Sequence, residues 1–128
     1  LAACSNGPVE PFETSTSFNC VDDSKQCIGE RQAALQGLLS DKSRGWVKAP
    51  ATPHAYASGV RMFAFKQKKA ELSCDELGSG RREADAAPGA LRSAAGQGLS
   101  PAQISRGTMF AAEVGRELST EMKRRCKV

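Results

Sequence analysis

Residues 100–126, SPAQISRGTMFAAEVGRELSTEMKRRC, are the stretch of sequence that decides the fold. Ser100 is an N-cap residue type, Pro101 suits the first helical position, and Gln103 has capping-box spacing from Ser100. Apolar side chains then recur at helical intervals along one face, at Ile104, Ala111, Val114, Leu118 and Met122. The sequence therefore predicts one long helix that ends near Cys126.

The same helix carries small residues at every fourth position, Gly107, Ala111 and Gly115. Residues four apart lie on one side of a helix. Because these side chains are absent or short, we expect a neighbouring helix to approach this face closely. Three cations in the last turn suit the negative end of the helix dipole, namely Lys123, Arg124 and Arg125.

A second main helix is predicted near the start of the folded part. Asp22, Asp23 and Ser24 are good N-cap types, and we expect the helix to begin near Ser24. Its apolar face consists of Ile28, Leu35, Leu38 and Leu39. Gly45 suits the position just after its end, with Trp46 folding back as a hydrophobic plug.

The third main helix is predicted over residues 54–77, after an extended connection at 47–53 that contains two prolines. Its expected stripe is Tyr56, Val60, Phe63, Gln67, Ala70, Cys74 and Leu77, and Gly78 and Gly80 would end it. Residues 79–99 predict only short helical turns, because Pro88 interrupts them. The expected fold is all-α: a small disulfide-stapled bundle of three main helices plus short helical segments, preceded by an extended N-terminal tether.

Composition and charge limit the function. The 128 residues, 40% of them hydrophobic, suffice for one domain with one modest core. The net charge is +4, but only acids precede Lys25, so residues 25–128 carry eighteen basic and ten acidic side chains, a net charge of +8. This balance favours an anionic surface as a partner, although it also fits an ordinary solvated surface.

Lys66, Lys68 and Lys69 lie beside Phe63 and Phe65, too small a set to indicate a nucleic-acid partner.

The five cysteines include one at the start of the chain. Leu1-Ala2-Ala3-Cys4 resembles the lipobox of bacterial lipoproteins, which closes a signal peptide. The resemblance implies cleavage before Cys4, lipidation of its thiol with a diacylglyceryl group and a fatty acid such as palmitate, and an outer-membrane, periplasmic-side location, because Ser5 rather than Asp follows. We expect residues 1–19 to form the lipobox remnant and a flexible tether, and residues 20–128 to form the helical domain. The tether can extend at most about 50 Å from Cys4 to Cys20.

The other four cysteines, Cys20, Cys27, Cys74 and Cys126, suffice for two disulfides, which place the folded part in an oxidising compartment. If the first two helices are antiparallel, Cys27 lies near Cys74, and a parallel last helix brings Cys126 near Cys20. We therefore expect Cys27–Cys74 with Cys20–Cys126. The two other connectivities remain open.

The chemistry of the side chains favours a non-enzymatic protein. His54 is the only imidazole, and the HExxH, G-x-S-x-G and P-loop patterns are absent from the sequence. The sequence has no C-x₂-C pair, the spacing typical of zinc sites, so we expect no metal or cofactor. The sequence favours an envelope lipoprotein that acts as a protein-interaction or accessory module, for example in secretion, conjugation or surface exclusion. Its partners would be the membrane, through the lipid, and an envelope protein.

The alternative is a periplasmic helical protein that binds a small ligand or lipid. A dry, apolar pocket of a few hundred Å³ between helices would favour that alternative, and a solid core would favour the interaction module.

Overall fold

The computed structural model describes residues 20–95 and 97–127, and within them the chain is all-α, as predicted. The five helices of this part are α1 (Lys25–Ser40), α2 (Pro53–Ser58), α3 (Val60–Lys68), α4 (Cys74–Ser93) and α5 (Pro101–Arg125), with a 3₁₀ turn at Gly45–Lys48. Two cysteine pairs lie at disulfide distance. The predicted lipobox with Cys4 and the predicted tether fall outside the described residues.

Helix α5 forms as its local signals predict. The backbone N–H of Ser100 donates to Gln103 Oε1 (2.8 Å), and the backbone N–H of Gln103 donates to Ser100 Oγ (3.2 Å). This reciprocal capping box satisfies two backbone donors at the start of the helix. The helix ends at Cys126, and α2, α3 and α4 all pack against it.

The small-residue face of α5 is where α4 approaches. A Cβ atom at Gly107 would lie 2.8 Å from Leu91 Cδ1, and one at Gly115 would lie 3.3 Å from the Cβ of Ala84. These contacts run in opposite directions along the two helices, so α4 and α5 are antiparallel. The predicted close approach of a neighbouring helix is confirmed.

The single helix predicted over residues 54–77 is wrong. Gly59 adopts a left-handed conformation (φ +78°), and its N–H caps α2 by donating to the carbonyls of Ala55 and Tyr56. A second interruption follows α3, and Ser73 then starts α4 through a capping box with Glu76. Glycine tolerates the positive φ that ends a helix, and a Ser-x-x-Glu pattern starts a new one.

The predicted helix end at Gly78 and Gly80 and the predicted interruption at Pro88 are also wrong. All three residues lie inside α4, whose buried face consists of Leu77, Gly80, Ala84, Ala87 and Leu91. A Cβ atom at Gly80 would lie 2.6 Å from Phe65 Cδ1, so this glycine serves close packing. Burial of this face outweighs the hydrogen bond that Pro88 cannot donate.

The end of α1 differs from the prediction by one turn. The helix stops at Ser40, and Gly45 begins the 3₁₀ turn instead of following α1 directly. Trp46 is fully buried in that turn, so its predicted role as a hydrophobic plug is confirmed at a different element. Its ring packs edge-on against Phe65, with 4.8 Å between the ring centroids.

The predicted pairing of the cysteines is wrong. Cys20 pairs with Cys27, and Cys74 pairs with Cys126. The prediction placed Cys74 near the end of a long helix, whereas it begins α4, and the antiparallel packing sets the start of α4 beside the end of α5. Cys20 lies just before α1 and folds back onto the first turn of the same helix, where Cys27 is buried.

A buried ion pair joins α3, α4 and the chain between the 3₁₀ turn and α2. Arg61 is fully buried, and its Nε and Nη2 donate to the two carboxylate oxygens of Glu83 at 2.8 and 2.7 Å. The same Nη2 donates to the carbonyl of Ala49 (2.9 Å). The guanidinium carbon also lies 5.9 Å from the centroid of the Trp46 ring.

Glu83→Ala should lower the free energy of unfolding by about 3–5 kcal/mol, because it leaves the Arg61 charge buried without its partner. Asp85→Ala is the matched control: it lies two residues away on α4 and removes only an exposed ion pair with Arg81. That variant should stay within about 0.5 kcal/mol of the parent. Urea denaturation measures both, and equal losses would contradict the role given to Arg61.

The two disulfides should differ in their contribution to stability. Cys74–Cys126 spans 52 positions and Cys20–Cys27 spans only 7. Restriction of the unfolded chain then contributes about 4 kcal/mol for the long loop and about 2.5 kcal/mol for the short one. Thermal denaturation of the two paired Cys→Ser variants tests this order, and a larger loss for the Cys20/Cys27 variant would reverse it.

Candidate binding groove

A groove of about 420 Å³ lies where α1, α5 and the α2–α3 junction meet, and it opens to solvent. Its walls combine aliphatic and aromatic side chains with a few polar groups. The residues that line it are Val21, Asp23, Ile28, Arg31, Gln32, Leu35, Tyr56, Ala57, Ser58, Gly59, Val60, Phe63, Arg106, Gly107 and Phe110.

One wall is the segment that precedes α1. Arg31 Nη1 donates to the carbonyls of Cys20 (2.9 Å) and Asp22 (2.7 Å), and Gln103 Nε2 donates to the carbonyl of Val21 (3.3 Å). The Cys20–Cys27 disulfide closes the same short loop. Three independent ties therefore hold this segment against the groove.

The opposite wall is aromatic. The rings of Phe63 on α3 and Phe110 on α5 lie with their centroids 6.3 Å apart. Gly59, which separates α2 from α3, lies against the Phe110 ring: a Cβ atom there would be 3.5 Å from Phe110 Cδ2, an ordinary van der Waals contact. Helix α3 and helix α5 therefore each contribute one ring to this wall.

Two exposed apolar side chains lie in the walls of the groove. Within residues 20–95 and 97–127, the exposed large hydrophobic residues are Ile28 (38% exposed), Phe63 (36%) and Met109 (69%). Ile28 and Phe63 line the groove, whereas Met109, which precedes Phe110 on α5, does not. Two of the three exposed large apolar side chains therefore lie in one concave surface, as expected of the walls of a ligand site.

The charges at the groove are mainly positive. Arg31 and Arg106 line it, and Asp23 is the one acid among the lining residues. Arg106 is exposed and makes no hydrogen bond or ion pair with any described residue. Within the described part of the chain, the groove therefore has one arginine without a partner beside its apolar side chains.

Two of the three lysines singled out in the sequence form ion pairs with α5, and the third, Lys68, lies 3.5 Å from Glu71. Lys66 Nζ lies 2.7 Å from Glu113 Oε2, and Lys69 Nζ lies 2.8 Å from Glu117 Oε1. The hydrogen bond from Lys69 holds the pKa of Glu117 below its ordinary value, and the hydrogen bond to Glu113 raises the pKa of Lys66. Lys66 and Lys69 thus link the end of α3 to α5, and each of the three lysines has an acidic partner.

The other candidate residues do not gather into a reactive site. His54 is half-buried in the first turn of the short helix α2. Across the described part of the chain, no group of three His, Cys, Asp or Glu side chains is placed to share a metal ion. None of the helices described has the length and apolar character needed to cross a bilayer.

Sequence reasoning missed most of the groove. Phe110 lies one position before Ala111, outside the predicted stripe of α5. A large apolar residue at that position was the one signal in the sequence that α5 has a second apolar face. Arg106 carries no local signal, since nothing in the nearby sequence separates it from an ordinary surface arginine. Ile28 was expected on the apolar face of α1, and it lines the groove instead of the core.

Comparison of the chain with protein-family models, with curated proteins and with solved structures finds no match. The groove and the sequence motifs are therefore the basis for a functional proposal.

The charged contacts of α5 predict a loss of stability in acid. Hydrogen bonds from Lys69 lower the pKa of Glu117, and hydrogen bonds from Arg125 lower the pKa of Glu121. A carboxylate with a lowered pKa in the folded state stabilises the fold above its ordinary pKa, and this contribution is lost as the pH falls through the folded-state pKa. The thermal unfolding midpoint should therefore decrease as the pH is lowered from about 5 to about 3.

Glu117→Gln should reduce this dependence on pH, since the amide does not titrate. Glu30→Gln on α1 is the matched control and should leave the acid loss in place. A parent protein whose thermal midpoint is the same at pH 3 and pH 7 would contradict the expectation.

Proposed function

We propose that this chain is a non-enzymatic binding module of the bacterial envelope, anchored to the outer membrane through lipid on Cys4 and acting through the groove. The observation that supports a binding role most is that two exposed large apolar side chains, Ile28 and Phe63, lie in the walls of one concave surface. Apolar side chains left in water are costly unless a partner covers them.

The envelope location rests on the residues at the start of the sequence and on the cysteines. Leu1-Ala2-Ala3-Cys4 resembles a lipobox, and four further cysteines form two pairs at disulfide distance. Disulfides of this kind persist in the periplasm and outside the cell. The pairing leaves Cys4 as the one cysteine available for a lipid.

Two forms of the binding role are distinguishable. In the first, the domain is an accessory protein in secretion, conjugation or surface exclusion, and it docks on another envelope protein. In the second, it holds a small ligand or lipid. The groove opens to solvent, so it is not the dry pocket expected for the second form. Its volume of about 420 Å³ nevertheless falls within the range of small-molecule sites and supports that form.

The anchor and the binding face can be tested together in the native cells. Mass spectrometry of the purified full-length protein should show acylated Cys4, and the protein should fractionate with the outer membrane. A photo-cross-linking residue in place of Phe63 should form a discrete adduct with its partner, because this side chain lines the groove.

Two variants serve as controls. Cys4→Ser should move the protein out of the membrane fraction. The same cross-linker in place of Ala86, an exposed position on α4 outside the groove, should form no adduct. An unmodified Cys4 would overturn the anchor, and equal adducts at both positions would overturn the binding face.

A further inference from the structure

We propose that the groove binds one monomeric, single-chain amphiphile with an anionic headgroup, such as a free fatty acid. Its headgroup pairs with Arg106, and its chain lies against Phe63 and Phe110. The proposal rests on the second form of the proposed function and specifies the class of ligand. It does not depend on the anchor, since the groove is built by the helical domain alone.

The size of the surface favours a small ligand over a protein. A stable protein–protein interface buries about 800 Å² on each partner. Here the exposed large apolar side chains of the described residues number three, and two of them are inside the groove. A concave site of about 420 Å³ has room for one aliphatic chain, whereas outside it the described residues include one exposed large apolar side chain, Met109.

The charge of the groove selects the headgroup. Arg106 has no partner among the described residues. It lies on α5, four residues before Phe110. Residues four apart are neighbours on a helix surface, so Arg106 and Phe110 line the groove from the same face of α5. Arginine pairs with carboxylate and phosphate through two parallel hydrogen bonds. An anionic headgroup on an apolar chain matches this arrangement.

The other cations near the groove are already engaged. Lys66 Nζ lies 6.0 Å from the centroid of the Phe110 ring, but it pairs with Glu113 and Glu117. Arg31 uses Nη1 to hold the backbone of the segment before α1. It adds positive charge to the groove from a fixed position, and Arg106 remains the group that can move to meet a ligand.

The wall of the groove is held in place without a ligand. The Cys20–Cys27 pair, Arg31 and Gln103 fix the segment before α1, and the Phe63–Phe110 contact fixes the facing wall. A site that is already ordered loses little conformational entropy when it binds, which favours affinity for a ligand as small as one acyl chain.

The test uses the full chain and three probes in nuclear magnetic resonance titrations. Dodecanoate, below its critical micelle concentration, should shift the methyl signals of Ile28, Leu35 and Val60 saturably. Dodecyltrimethylammonium has the same chain with a cationic headgroup and should bind at least about tenfold more weakly. Acetate has the headgroup alone and should not bind.

Variants locate the ligand within the groove. Arg106→Glu should weaken dodecanoate binding about tenfold or more, and Arg92→Glu, an exposed arginine outside the groove, should leave it unchanged. Ile28→Asp should also weaken binding, whereas Met109→Asp, which changes an exposed apolar residue beside the groove, should not. Melting curves of all four variants test whether each is folded, and binding is compared only among folded variants.

Several results would overturn the proposal. Dodecanoate that causes no shifts, or that binds as well to the Arg106→Glu variant as to the parent, excludes an anionic amphiphile in the groove. Binding of phosphatidylglycerol vesicles without binding of monomeric dodecanoate would identify a bilayer-docking face instead. A single envelope protein cross-linked at position 63, together with no dodecanoate shifts, would identify a protein site. An acylated Cys4 with no groove ligand would leave the anchor intact and reject this proposal alone.

Discussion

The buried contact between Arg61 and Glu83 is the constraint on which the arrangement of helices depends. An arginine removed from water must keep its partner, so α3 can pack only where its guanidinium meets the Glu83 carboxylate on α4. This requirement fixes the rotation of α3 about its own axis. Phe63, two residues after Arg61, then lies on the opposite side of the helix and is carried outward to the groove. The core contact and the exposed aromatic wall are therefore two consequences of one rotation.

The rotation of α3 is also where prediction from the sequence failed. The predicted stripe placed Phe63 in the core, and Arg61 was not considered for it, because a hydrophobic pattern treats arginine as a surface residue. The partner of Arg61 lies 22 positions away, so no local signal identifies it.

Helix α5 was predictable because its capping box and its apolar stripe are both encoded by neighbouring residues. The break at Gly59 was missed because glycine inside a periodic pattern does not by itself distinguish a tolerated residue from a left-handed turn.

Charge follows the same division between local and long-range information. The sequence gives residues 25–128 a net charge of +8, which favoured an anionic surface as partner. The folded chain pairs Lys66 and Lys69 with Glu113 and Glu117, more than forty positions away. What matters for recognition is the set of cations that remain unpaired after folding. Among the described residues, Arg106 belongs to that set and lies at the groove. The positive charge available to bind a ligand in the groove is therefore the charge at this site and not the net charge of the chain.

The position of the groove relative to Cys20 connects the two proposals. Cys20 is the first described residue, and Val21 and Asp23 directly after it line the groove. The segment that leads to Cys4 therefore joins the domain at the groove itself. A lipid on Cys4 would tether the domain by the side that carries Arg106 and the aromatic wall. An amphiphile that leaves the bilayer would then meet the groove within the reach of the tether, at most about 50 Å. An anchor attached elsewhere on the domain would not favour that encounter.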